Sequence, residues 1–118
     1  MFEAVWTEQA QQTYTKLRDT AAVALVDRKK RKGKKGKKAS RAEGLFKQVH
    51  KCIRLLLSNP RHPGLQTHVF HSLINPYDNN EKVFEAYVQQ HTPGAYRLFW
   101  CYGPKKKQIT IIAITPHP

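Results

Sequence analysis

Three charged or titratable residues in the last third of the chain stand out by type and position. Arg97 lies inside an otherwise apolar run, residues 96–102 (YRLFWCY). Glu85 lies inside another, residues 83–88 (VFEAYV), and His117 follows a third, residues 109–115 (ITIIAIT). Along a strand, successive side chains point to opposite faces. In the YRLFWCY run, Tyr96, Leu98, Trp100 and Tyr102 form the larger and more apolar set, which suits a covered face. Arg97, Phe99 and Cys101 then point to the open one. In the VFEAYV run the same reasoning assigns Phe84, Ala86 and Val88 to the core and leaves Val83, Glu85 and Tyr87 open. The open face is therefore expected to present Arg97, Glu85 and Tyr87, with His117 arriving from the end of the neighbouring strand.

An arginine, a carboxylate and a histidine in one place suit cleavage of RNA without a metal. The 2′-hydroxyl needs a base, the pentavalent phosphorane needs a fixed cation, and the 5′-oxygen needs an acid. Arginine provides a planar donor fork that stays charged. Histidine titrates near neutrality and serves as acid or base. The carboxylate acts as base or orients the arginine. The competing reading is a cross-strand Glu85–Arg97 ion pair that only decorates the sheet.

The elements that must hold these residues are legible from periodicity and punctuation. A short bulky segment, residues 2–6, reads as a first strand. Thr7 caps a helix over about residues 8–27, with Glu8 in its first turn and Ala10, Tyr14, Leu17, Ala21 and Leu25 at helical spacing. The Lys/Arg run interrupts it, with Gly33 and Gly36 as breakers. Ser40-Arg41-Ala42-Glu43 is a capping box. It opens a second helix with Phe46, Val49, Ile53 and Leu56 on one face, ending at Ser58-Asn59-Pro60. Residues 60–80 read mostly as loop, with a brief edge segment somewhere in 65–73. The three strand runs follow, joined by connections short enough for antiparallel hairpins. The order β-α-α-β-β-β implies an α+β fold, a small and mostly antiparallel sheet with a two-helix hairpin on one face.

At 118 residues the chain suits one domain with one core. Its formal charge of +13 is uneven, because residues 28–38 (RKKRKGKKGKK) hold nine of the 21 Lys and Arg. Polyanions are the natural partners of such a block. A solvated loop is the plainer reading, and a nuclear localisation signal the third. Cys52 and Cys101 lack a CxxC spacing and read as buried free thiols in a reducing compartment. The N-terminus does not resemble a signal peptide and no apolar run reaches the roughly 20 residues that span a bilayer, so no membrane association and a cytoplasmic location are expected. His62, His68, His71 and His91 lack ligand-like spacing, so neither a metal nor a cofactor is expected. No Gly-rich phosphate loop, GxSxG or paired-carboxylate pattern occurs.

The ordered set N-P-x-H-P-G-L-x-T-H (residues 59–68), F-E-A-Y-V (84–88), Y-R-L-F-W (96–100) and I-I-A-I-T-P-H (111–117) resembles the RelE/ParE toxin superfamily. The resemblance covers nearly the whole chain, excepting about ten residues before Val83 and a Lys/Arg-rich insert at about residues 28–38 between the two helices, and it implies a single domain over residues 1–118. It implies the toxin of a type II toxin–antitoxin pair. For the RelE-like branch it implies a ribosome-dependent mRNA endoribonuclease whose nucleophile is the RNA 2′-hydroxyl. Arg97 matches the family's catalytic strand arginine, His117 the terminal histidine of YoeB-type members, and Glu85 a common acidic position. Family members often carry a tyrosine after that histidine, where this chain has Pro118. Basic residues usually follow the P-G-L motif, where this chain has Gln66, His68 and His71. The implied partners are a cognate antitoxin with an acidic segment, mRNA and ribosomal RNA. Residues expected to touch RNA are Lys29, Lys30, Arg31, Lys32, Lys34, Lys35, Lys37 and Lys38 of the insert, with Lys105, Lys106, Lys107, His68 and Tyr87 nearer the active face. Two other classes compete: a ParE-like DNA gyrase inhibitor, and a non-catalytic basic nucleic-acid-binding module in which the lysine run acts alone.

Overall fold

A computed structural model describes residues 1–31 and 38–117. Strand β1 (Glu3–Trp6) is followed by helices α1 (Glu8–Lys30) and α2 (Arg41–Ser58), a short 3-10 turn (Pro63–Leu65), and strands β2 (His68–Val69), β3 (Phe84–Tyr87), β4 (Tyr96–Tyr102) and β5 (Gln108–Pro116). The strands form one sheet in the order β1-β5-β4-β3-β2. β1 runs parallel to β5, and every other neighbouring pair is antiparallel. The architecture is the α+β arrangement expected, with the brief edge segment resolved as β2.

Both helices cover one face. Ala10 of α1 and Val49, Cys52, Ile53 and Leu56 of α2 pack on Leu98, Trp100, Ile109, Ile111 and Ile114 of the sheet. Burial of these side chains at roughly 25 cal/mol per Å² of apolar surface is the main stabilising term. Burial also pushes the Cys52 thiol up to about 12 and the Cys101 thiol up to about 11. Both therefore stay protonated and poorly nucleophilic at neutral pH.

Helix α1 runs three residues beyond its expected end, taking Arg28, Lys29 and Lys30 out of the loop. Lysine and arginine are good helix formers, and cations in the last turn complement the helix dipole. A cross-helix contact fixes the extension. Glu43 accepts hydrogen bonds from Arg28 Nε and Nη2 and from the Ser40 backbone amide, closing the capping box. The Arg28 guanidinium, followed by the Ser40 amide, holds the Glu43 carboxyl down at about 2.

Strand β5 contains the irregularity that matters most for the open face. Phe99 pairs with Ala113, but Trp100 pairs with Ile111, so Ile112 is an extra residue. Such a bulge shifts the inside–outside alternation by one. Before it, Ile109 and Ile111 face the helices; after it, Ile114 does, and Ala113 joins Phe99 and Val83 on the opposite face. Thr7 secures the bulge. Its hydroxyl donates to the Ile112 carbonyl at 2.6 Å, its amide donates to the Ile111 carbonyl at 3.1 Å, and the same hydroxyl caps α1 by accepting from the Ala10 amide.

Two outcomes follow from these contacts. Thr7→Ala should lower the urea-unfolding free energy by about 1–2 kcal/mol, the usual value of a lost cap, whereas Thr7→Ser should leave it nearly unchanged. The Glu43 carboxyl is held below its ordinary value of 4.5, so its contribution is complete above about 4.5 and disappears as pH falls from there towards 2. An acid titration followed by circular dichroism should therefore show a shallower loss of stability across that window for Glu43→Gln than for the unaltered chain.

Candidate functional site

The open face divides into two halves. Over one, Phe70 packs against Phe99 with ring centroids 4.6 Å apart, and the Tyr77 hydroxyl meets Thr110 Oγ1 at 2.8 Å. Asn75 braces this covering loop, donating to the Lys82 carbonyl and accepting from the Tyr77 and Asp78 amides. The other half carries the chemically capable side chains.

Arg97 and Tyr87 face each other across β4 and β3, and the Arg97 guanidinium lies 3.7 Å above the Tyr87 ring centroid. Its Nη1 donates to the Gln89 carbonyl at 2.6 Å and the Tyr96 carbonyl at 3.2 Å. Neither Nη2 nor the buried Nε makes a hydrogen bond to the described residues. A guanidinium that is only 8 % exposed, anchored by one edge and stacked on a ring, is a cation fixed in place. Tyr87, expected to touch RNA, has its ring face occupied by Arg97 and serves as its platform.

Glu85 lies diagonally across from Arg97, at the roughly 7–8 Å separation of such positions. No Glu85–Arg97 ion pair forms. Instead the buried Glu85 carboxylate, 2 % exposed, meets two histidines. Its Oε1 is 2.6 Å from His68 Nε2 and its Oε2 is 3.2 Å from His117 Nδ1. His68 is the residue opposite Glu85 in the β2–β3 ladder. His117 comes from the far side of β4. The Ala95 carbonyl holds its amide at 2.8 Å, and its ring reaches over β4 to Glu85.

The sequence reading placed Arg97, Glu85, Tyr87 and His117 on one face, and the structure brings them together there. It left His68 among loop histidines and gave it an RNA contact, whereas both His68 ring nitrogens are engaged within the protein. The available signal was position: His68 is three residues beyond the Pro63–Leu65 turn, inside the stretch expected to supply an edge strand, where β2 pairs with Glu85. Neither role imagined for Glu85, base or partner of Arg97, fits a carboxylate whose oxygens both face imidazoles. These nitrogens and oxygens contact one another instead of converging on a point, and the described residues hold no cluster suited to a metal ion.

The basic residues separate into two groups. Lys105, Lys106 and Lys107 occupy the β4–β5 hairpin, at the opposite end of β4 from Arg97. Tyr102, the last residue of β4 before that hairpin, is already roughly 17 Å from Arg97 at the usual rise per strand residue. The expectation that these lysines lie near the active face is thereby corrected. Lys107 sits instead over the Phe2 ring, with its Nζ 5.2 Å from the centroid.

The insert is differently placed. Helix α2 passes Gln89 at Gln48, with a 3.0 Å side-chain hydrogen bond, and ends where the Leu57 carbonyl accepts from the Phe2 amide. Its first turns therefore project about 10 Å beyond the sheet end that carries Gln89 and Arg97. Lys29, Lys30, Arg31 and Lys38 are exposed at that projecting tip. Lys32, Lys34, Lys35 and Lys37 lie outside the described residues.

No protein-family model matches the sequence, and no curated protein matches it. A solved structure does: the YoeB/ParE toxin from Agrobacterium tumefaciens superposes with a TM-score of 0.61 over 98 % of this chain and 99 % of that one, at 10 % identity. The chain has the fold of a YoeB/ParE toxin. That agrees with the fold implied by the RelE/ParE resemblance, extends over essentially both chains, and leaves the chemistry to the side chains described above. Among the described residues, no helix is long and apolar enough to cross a membrane.

Proposed function

We propose that this protein is the toxin of a type II toxin–antitoxin pair and a metal-independent, ribosome-dependent mRNA endoribonuclease. The observation that carries this reading is the gathering of a fixed arginine and a carboxylate-held histidine on one half of the open face. His117 Nδ1 is turned towards Glu85, and Nε2 makes no hydrogen bond to the described residues on a ring that is about half exposed. Neutral His117 takes the proton of the 2′-hydroxyl at Nε2. The 2′-oxygen bonds to phosphorus, the bond to the 5′-oxygen breaks, and the proton is returned to that oxygen. The products are a 2′,3′-cyclic phosphate and a 5′-hydroxyl. Arg97 balances the extra negative charge on the phosphorane from a position that needs no reorganisation, and Glu85 holds the His117 ring.

The insert supplies affinity. Lysine contacts to phosphate are sequence-blind and salt-dependent, and the projecting tip puts Lys29, Lys30, Arg31 and Lys38 at the same end as the site. This reading assigns residues 28–38 to ribosomal RNA and the half of the sheet face that carries Arg97 and His117 to mRNA. The antitoxin partner carries an acidic segment that covers this basic end or displaces His117.

Induction of the unaltered chain should arrest growth and produce cuts in translated messages, and Arg97→Ala should abolish both while the circular dichroism spectrum is retained. A folded Arg97→Ala protein that still arrests growth contradicts the mechanism, and DNA damage without mRNA cuts would indicate gyrase poisoning instead. Deleting residues 28–38 should weaken ribosome binding and flatten its dependence on salt concentration. Unchanged binding would remove the insert from the account.

A further inference from the structure

Four groups form one continuous hydrogen-bonded chain: the Gln66 carbonyl, His68, Glu85 and His117. His68 Nδ1 lies 3.1 Å from the Gln66 carbonyl oxygen. A carbonyl only accepts, so Nδ1 carries a hydrogen. His68 Nε2, at the other side of the ring, lies 2.6 Å from Glu85 Oε1. With Nδ1 already protonated, the hydrogen of this second bond is shared between an imidazole and a carboxyl, so His68 and Glu85 hold one proton between them. Glu85 Oε2 is then an acceptor for His117 Nδ1 at 3.2 Å. Gln66 sits in the left-handed region, φ 48°, as the cap of the Pro63–Leu65 turn, and that conformation sets where its carbonyl points.

We infer that His68 is a positioning residue of the proposed reaction: through Glu85 it fixes His117 in the Nδ1–H tautomer, with Nε2 as the reacting nitrogen. The inference rests on the ribonuclease reading for its kinetic part only. His68 itself has no free nitrogen for substrate. A neutral imidazole in water favours the Nε2–H form, which would present a donor where the reaction needs an acceptor, so the tautomer must be imposed. Glu85 imposes it only while its own carboxylate is held in one orientation. At 2 % exposure water does not hold it, so His68 must. Among the described residues, the other charged or titratable groups beside this chain are Arg97 and Tyr87. Arg97 is turned onto the Tyr87 ring, and Tyr87 meets the His68 ring edge-on with centroids 5.9 Å apart. Neither reaches the carboxylate to replace His68.

The test uses the full chain with His68→Leu, which removes the donor, and His68→Gln, whose side-chain amide restores one. Two-dimensional nitrogen–proton spectra of the imidazoles report the tautomer directly, independently of any activity. Neutral His117 should carry its hydrogen on Nδ1 in the unaltered chain and in His68→Gln, and lose that preference in His68→Leu. On ribosome-bound mRNA, His68→Leu should lower kcat by roughly tenfold to a hundredfold, the scale of a misaligned reacting group. KM should stay within about twofold, and His68→Gln should recover most of the loss. An Nε2–H tautomer in the unaltered chain, or a His68→Leu tautomer identical to it, overturns the inference. So does a His68→Leu effect confined to KM, which would make His68 a substrate contact. If no variant cleaves RNA, the unaltered chain included, the ribonuclease reading fails while the spectra still decide the role of His68.

Discussion

The geometry of the open face depends on one extra residue in β5. Strict alternation from Ile109 and Ile111 would send Ala113, Thr115 and His117 to the helix-covered side. There Ala113 would leave space in the core, and the histidine would enter it. Ile112 interrupts the count, so that Ile114 fills the core and His117 leaves the strand towards Glu85. An unpaired residue in a central strand leaves backbone groups to be satisfied. Thr7 does this with one hydroxyl that also starts α1. The placement of the first helix and that of the last histidine therefore share a hydrogen-bonding residue.

A second consequence concerns charge. The described residues gather the catalytic candidates without an Arg97–Glu85 contact. Among the described residues no carboxylate pairs with Arg97; it is held by carbonyl oxygens and an aromatic ring. A cation held this way keeps its attraction for a phosphoryl group, because an ion pair would have to be broken before substrate could bind. Glu85 meanwhile spends its charge on two imidazoles. The separation of the two roles follows from register, since Arg97 faces Tyr87 and Glu85 faces Phe99 in the same ladder.

Much of this was legible in the sequence, for identifiable reasons. The Ser40–Glu43 capping box, the Pro60 stop and the Tyr96–Tyr102 run each combine a local preference with a periodic pattern, and local preferences survive packing. Face sorting worked for β3 and β4 because both strands are regular. It had no means of predicting the bulge, since consecutive isoleucines in ITIIAIT satisfy either parity. Nor did it find the His68–Glu85 contact, which joins a two-residue strand to a partner 17 positions away by tertiary pairing alone. The extension of α1 was missed because a run of like charge reads as loop until a partner such as Glu43 is known. The lysines of the β4–β5 hairpin were misplaced although the sequence separates them: Arg97 is the second residue of β4 and the hairpin follows its last.

The central claim is that this face cleaves RNA through the 2′-hydroxyl with His117 and Arg97 and without a metal-bound nucleophile. The most direct test is a message bound on the ribosome that carries a single 2′-O-methyl group at the cleaved nucleotide, compared with its unmodified counterpart. The account predicts that the unmodified message is cut to a 2′,3′-cyclic phosphate and that the methylated one is left intact at that position. Cleavage of the methylated message at the same bond would show that another nucleophile attacks, and would contradict the account.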